Sequence, residues 1–355
     1  MPPGQITAAH IPAVFVGDTH GKPAHIARGI ATAARLGVET VIQVGDFNTY
    51  TPHQLSMIES AIDTAYSRHD TCDPARVRVL FVDGNHENFN VLGRAVREHD
   101  DNPFRFDGAR DEDEPYGTVY LSPRVVYMRR GSIRRVGEHI VGFFGGAITV
   151  GRARFTRGVN YFPEEAITDT DLANAMRVME SGIDVLVSHD TTREGLAVLE
   201  EQYLGDRRTS AARSDAWADS DVNTAYISAL VRATYPHIHV HGHYHRPVQF
   251  DLPQLGVNNI CLSRDYLAGS LAVVDGSTGQ AQYIDPHTSK LTTTVYTLAA
   301  TDPVAAPTDK FVLGPDGAPA GRGVWHGPGR NRDVRHYPQY DPTHPYEPAT
   351  KEMNS

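Results

Sequence analysis

Asp18, His20, Asp46, Asn85, His86, His189, His243 and His245 are the residues whose types and spacing could do chemistry together. Carboxylate, amide oxygen and imidazole are the donors that divalent ions of hard or borderline character take. No thiol stands among them, which argues against a structural zinc finger. With His86 set aside, the other seven would crowd one ion and suit two ions that share a ligand. A carboxylate has two oxygens and can bridge, so Asp46 is the expected bridge. Taken singly each motif is ordinary. Asp18-Thr19-His20 after an apolar run is commonly a capping turn, and Gly84-Asn85-His86-Glu87 could be a hairpin turn. Their joint order is what points to a site.

The elements that must position these residues are short apolar runs. Residues 13–16, 41–44, 79–82, 184–187 and 238–241 each read as a buried strand, and each ends at Asp, Asn or His. Open α/β sheets place their ligands at such carboxyl ends. Between the first two runs, Ile26, Ile30, Ala33 and Ala34 recur at helical spacing, with Pro23 before them and Gly37 after. Thr51-Pro52 opens a second helix carrying Leu55, Ile58, Ile62 and Ala65 on one face. The pattern to residue 82 is β-α-β-α-β.

After Glu87 the regularity fades. Residues 100–117 are acidic and broken by Pro103, Gly108 and Pro115, which reads as a surface insertion around 98–118. Strands are expected over 119–128 and 140–144, with a turn or short strand over 131–137 between them. A helix is expected over 168–179, and a largely helical insertion over 191–236. Late strands are expected over 259–262 and 270–274, with more by Val295. From 301 to 355 Pro, Gly, Asp, His and Tyr dominate without apolar periodicity, so this stretch reads as a tail with no core of its own. The catalytic domain is then expected over 1–300.

Composition bounds the function. The formal net charge of −10 disfavours a protein that coats nucleic-acid phosphates. No apolar run is long enough to span a membrane. The start lacks the basic and apolar regions of a signal peptide, and Cys72 and Cys261 form no disulfide framework, so a reducing cytoplasm is expected.

Asp18-Thr19-His20, Gly45-Asp46, Gly84-Asn85-His86-Glu87, Ser188-His189 and Gly242-His243-Tyr244-His245 resemble, in kind and order, the motifs of calcineurin-like metallophosphoesterases. A softer match, Phe144-Gly145-Gly146-Ala147 through Arg157 to Tyr161-Phe162-Pro163-Glu164, is similar to small bacterial and phage members. The resemblance implies a four-layer α/β/β/α sandwich of two mixed sheets flanked by helices. It implies that Asp18, His20 and His245 hold one ion, that Asn85, His189 and His243 hold the other, and that Asp46 bridges them. It also implies that His86 faces the substrate as general acid and that a metal-bridging hydroxide attacks phosphorus. Manganese is the first choice for the mixed donors, with iron, zinc, nickel or cobalt open. The sequence after Asp46, Phe-Asn-Thr-Tyr, departs from the protein-phosphatase branch, where a carboxylate would orient His86.

The expected activity is therefore hydrolysis of small phosphodiesters or nucleotide phosphate esters. A DNA-end nuclease, a protein phosphatase and a non-catalytic scaffold are the alternatives. Arg154 and Arg157, with Arg152, could clamp a substrate phosphate or form a solvated face. Asp190 could orient His189 or cap the next helix, and His241 could brace a ligand. His10, His25 and His69 are expected on the surface.

Overall fold

The computed structural model describes residues 10–69, 72–102, 117–204 and 215–288. Two mixed sheets stack face to face. Their strands and helices run in the order β1 (Ala13–Val16), α1 (Pro23–Leu36), β2 (Thr40–Gln43), α2 (Pro52–His69), β3 (Arg78–Phe81), α3 (Phe89–Asp101), β4 (Thr118–Tyr120), β5 (Val125–Met128), β6 (Ser132–Val136) and β7 (His139–Phe144). After these come α4 (Asp169–Val178), β8 (Val185–Ser188), α5 (Arg193–Leu199), α6 (Asp215–Thr234), β9 (Ile238–His241), β10 (Val248–Leu252), β11 (Val257–Cys261), β12 (Leu271–Val274) and β13 (Ala281–Ile284). The first sheet has the order β13-β12-β1-β2-β3-β5-β4, and the second β10-β11-β9-β8-β7-β6.

Alternation along the strands builds the layers. Ala13 and Phe15 of β1 face the space between the sheets with Val141, Phe143, Val185 and Val187. Val14 and Val16 face outward against Ile26 and Ile30 of α1, in a core that Ile58, Ile62, Leu92 and Val96 of α2 and α3 complete. The outer face of the second sheet packs on Leu172, Leu196, Ile227 and Leu230 of α4, α5 and α6. Both faces of each sheet are covered, which is why the central strands read as unbroken apolar runs. The parallel set β1-β2-β3 and the parallel set β7-β8-β9 both end on one rim.

Several expectations change. Residues 119–128 are not one strand: β4 and β5 pair antiparallel around a turn in which the Ser122 hydroxyl accepts from Val125 N, 3.3 Å. Of the turn or short strand expected over 131–137, the structure has the strand, β6, paired with β7. The stretch after Glu87 is the helix α3, capped by Asn88, whose side chain accepts from Val91 N, 3.3 Å. Residues 98–101 belong to that helix, not to an insertion. The edge strand β10 was not expected, whereas β13 falls in the stretch up to Val295 where further strands were. His10 and His25 are buried, and of the three only His69 is exposed. The acidic loop at 111–114, Val295 and the stretch 301–355 lie outside the described residues. Among the described residues no helix is long and apolar enough to cross a membrane.

Candidate metal centre

The rim at the carboxyl ends of the strands is held together before any side chain reaches into it. His20 N donates to Asp46 O, 2.8 Å, and Gly21 N to Phe47 O, 3.1 Å, so the loops after β1 and β2 are joined. The loop after β3 is joined to them by Glu87. Its carboxylate accepts from Phe47 N (2.7 Å), Asn48 N (2.8 Å) and Gly84 N (3.2 Å), and from the Tyr50 hydroxyl. Burial, with Asp46 nearby, raises its pKa to about 7. Two glycines allow the close approach. A Cβ on Gly45 would sit 2.3 Å from His189 Nδ1, and one on Gly242 would sit 2.0 Å from Asp18 Oδ1.

Asp46 lies at the centre. Its Oδ2 is 3.3 Å from His20 Nε2, and its Oδ1 is 3.2 Å from His189 Nε2. Asp18 Oδ2 is 2.9 Å from His245 Nε2, and both Asp18 oxygens accept from His243 N at 3.2 Å. One donor atom each from Asp18, His20, Asp46 and His245 lies within 4.8 Å of the others. Asn85 Oδ1 is 3.3 Å from His189 Nε2, and the His243 ring is centred 5.1 Å from that of His189. The seven expected ligands therefore form one connected group of neighbours. His86 is exposed at its edge, its ring 5.5 Å from His20 and its backbone N donating to Asp46 Oδ1, 2.8 Å.

Tautomers and charges suit cations. Val44 O and Asp265 Oδ1 are acceptors, so the Nδ1 atoms of His189 (2.8 Å) and His20 (3.3 Å) must carry hydrogens and leave each Nε2 for the cluster. Burial opposes charge on His189, but Asp46 and Asp18 outweigh it and raise its pKa to about 10. His20 is raised against burial by the same carboxylates and Asp265. Burial opposes the Asp46 anion, yet His189 and His20 hold its pKa well down. Protons here do what cations would do, which is the donor chemistry of a metal centre. The backbone is strained at the same place: φ is +46° at His20, +57° at Asp46, +65° at His243 and +55° at His245.

The sequence profile of the calcineurin-like phosphoesterases matches residues 11–247. The chain belongs to this family. Calcineurin-like phosphoesterases are generally metal-dependent phosphoric ester hydrolases that hold two divalent metals, and the Asp18–His20–Asp46–His245 cluster fits such an ion. Among solved structures, a Thermus thermophilus protein is 9% identical over 77% of this chain and 98% of its own, with a TM-score of 0.43. A proposed 5′-nucleotidase from Staphylococcus aureus, in complex with α-ketoglutarate, is 15% identical over 84% of this chain and 56% of its own, with a TM-score of 0.39. The sulfate thiohydrolase SoxB of Thermus thermophilus is 17% identical over 78% and 44%, with a TM-score of 0.36. Curated proteins gave no match.

Around this phosphoesterase centre some expected roles move. Asp190 neither bonds His189 nor caps α5, which Thr192 caps. It accepts from the Tyr244 hydroxyl, 2.6 Å, and from Asn223 Nδ2, 3.0 Å, and so pins the turn between His243 and His245. His241 bonds Asn259 and Gly242 O rather than a ligand. Arg152 is paired with Asp219 at 2.8 Å, and Arg154 and Arg157 are exposed on the same loop. That loop is rooted beside the site through Thr149, bonded to Asn85, and through Asn90, whose amide donates to Gly158 O, 3.1 Å. Sequence reasoning missed Asp265, which orients His20 while its N donates to Asp18 O, 2.8 Å, and which pairs with Lys22. The only signal for it was an Asp in a short loop between two late strands.

Proposed function

We propose that this protein is a dinuclear phosphoesterase that hydrolyses small phosphodiesters or nucleotide phosphate esters. The observation that carries the reading is Asp46, whose two oxygens face two different histidines, His20 and His189. Asp18, His20 and His245 would hold one ion, Asn85, His189 and His243 the other, and Asp46 would serve both. When bound, two divalent ions activate water and offset charge on the attacking and leaving oxygens. The chain supplies the rest. Asp265 and Val44 O hold the ring nitrogens of His20 and His189 in the ligating tautomer. His86, exposed and tied through its backbone to Asp46, protonates the leaving alkoxide. Arg154 and Arg157 stand on a loop that also exposes Phe155 and Val159, a surface suited to a phosphate beside an apolar group.

Manganese is the proposed metal, since oxygen and imidazole donors are mixed. Cys72 and Cys261, neither of them in a disulfide, fit a reducing cytoplasm. The catalytic domain is proposed to run to about residue 300, with 301–355 as an appended tail. The deciding assay is a panel under identical manganese: nitrophenyl mono- and diesters, cyclic and linear nucleotides, plasmid and linear duplex DNA, and a phosphopeptide. Turnover of small diesters or nucleotides is expected. Rapid cleavage of duplex DNA with negligible turnover of every small ester would replace this reading with a nuclease.

A further inference from the structure

An amide ligand has a problem that a carboxylate lacks. The two oxygens of Asp18 or Asp46 are equivalent, but the two ends of Asn85 are not: Oδ1 can ligate a cation and the Nδ2 amino group cannot. Something must tell Asn85 which way round to sit. Asn85 comes from the loop after β3, in the first sheet. On its far side lies a segment that follows β7, in the second sheet. Asn85 Nδ2 donates to Thr149 Oγ1, 3.1 Å. The Thr149 hydroxyl donates to Glu165 Oε2, 2.7 Å, and Thr149 N donates to Glu165 Oε1, 2.6 Å. Asn85, Thr149 and Glu165 are buried, at 4%, 5% and 1% exposure, so water does not replace these bonds.

The direction of this chain of donors is fixed from one end. Both Glu165 oxygens are acceptors, Oε1 from Thr149 N and Oε2 from the Thr149 hydroxyl. The Thr149 hydroxyl has one hydrogen and spends it on Glu165, so it offers Asn85 a lone pair. Asn85 must then present Nδ2 to Thr149 and Oδ1 to His189, where it is found. Glu165 is itself immobilised. Arg130 donates to the carbonyls of Glu164 (2.9 Å), Glu165 (3.1 Å) and Ala166 (2.6 Å). The same guanidinium donates to Asp83 Oδ2 at 2.6 and 3.1 Å, two residues before Asn85. One arginine thus ties the two ends of the relay into a single unit.

We propose that Glu165 and Thr149 are positioning residues that set the polarity of the Asn85 amide, so that its oxygen faces the ion of the His189 half-site. The inference rests on Asn85 being a ligand, as proposed above. Glu165→Gln tests it with almost no change in shape. The Gln oxygen must still accept from Thr149 N, so its amino group faces the Thr149 hydroxyl and reverses the relay. Thr149→Val removes the hydroxyl, and Thr149→Ser keeps it.

Manganese binding is measured by equilibrium dialysis with elemental analysis, alongside urea unfolding of the metal-free proteins. Wild type is expected to bind two ions. Glu165→Gln and Thr149→Val should each weaken one of the two sites by roughly 10–100-fold and leave the other unchanged. Thr149→Ser should bind like wild type, and the unfolding midpoint of Glu165→Gln should stay close to it. Unchanged binding in Glu165→Gln would overturn the relay while leaving the phosphoesterase reading intact. Equal weakening of both sites together with lost stability would also overturn it, since that marks a merely structural role. A wild-type protein that bound no manganese would remove the metal reading and the relay with it.

Discussion

The proposed Asp18–His20–His245 half of the site and the proposed Asn85–His189–His243 half would share Asp46 and differ in nearly everything else. In the first half the side chains of His20 and His245 are 23% and 32% exposed, and donors converge within 4.8 Å. Its orienting groups are charged: Asp265 holds His20 and pairs with Lys22. In the second half His189 is fully buried, and Asn85, the proposed neutral ligand, is buried too. Its orienting groups, Val44 O on His189 and Thr149 on Asn85, are neutral hydrogen-bonding partners. Asp265 is buried, and its charge is held by pairing with Lys22, whose side chain is 51% exposed. In the interior an unpaired charge is expensive, so geometry has to come from fully satisfied hydrogen bonds.

The comparison can be broken at its shared member. Asp46→Ala should lower metal content below that of a variant in either half alone, such as His245→Ala or His243→Ala, and abolish measurable turnover. Elemental analysis decides this, and two tightly held ions in Asp46→Ala would remove the bridge. His86 belongs to neither half. His86→Ala should keep normal metal content and lose ~10²–10⁴-fold in rate on esters with basic leaving groups, but little on nitrophenyl esters. Equal losses across leaving groups would exclude its role as the acid.

Two glycines separate the halves more finely. Gly45→Ala would press a methyl on His189, at a residue with φ of +105°, and Gly242→Ala would press one on Asp18. Each should weaken the ion of its own half more than the other, read as two distinct dialysis affinities. If both substitutions weakened the same ion, the two halves would not be independent.

A separate effect concerns acid stability. His25, under the rim beside Tyr266, and His239, in β9, are both lowered to about 4, first by burial. Unfolded chains take up these protons near pH 6.5, so stability is full above that pH and is lost as pH falls to about 4. Each contributes about 3 kcal/mol of that loss. Urea unfolding of the metal-free protein at pH 7 and pH 5 measures it, and His25→Leu should flatten the dependence. A pH-independent wild type would contradict the buried neutral form.

That the seven expected ligands would be neighbours was legible because each follows a strand or its glycine turn, and strand ends are where one sequence position fixes one spatial position. Their helpers were not. Asp265 reaches His20 across 245 positions, and Thr149 reaches Asn85 across 64. Neither sits in a periodic element. The βαβ units were legible through Pro23, Gly37 and the spacing of Ile26 and Ile30. The hairpin of β4 and β5 was not, because Val119, Tyr120, Val125 and Val126 are apolar on both sides of its turn and the run looked continuous. The helix α3 was masked by its charged surface, although Asn88 with Leu92 and Val96 carried its signature.

The positive φ angles at His20, Asp46, His243 and His245 set function against persistence. Each non-glycine residue held in that region costs on the order of 1–3 kcal/mol, and cations regain it only when they bind. Replacing any of the four by glycine removes a donor and the strain together, whereas alanine removes only the donor. The glycine variants should therefore unfold at higher urea than their alanine counterparts in the metal-free state. Selection for thermal hardiness alone would drift toward glycine at these positions, and a hardy but inert descendant would be recognised by where its glycines had appeared.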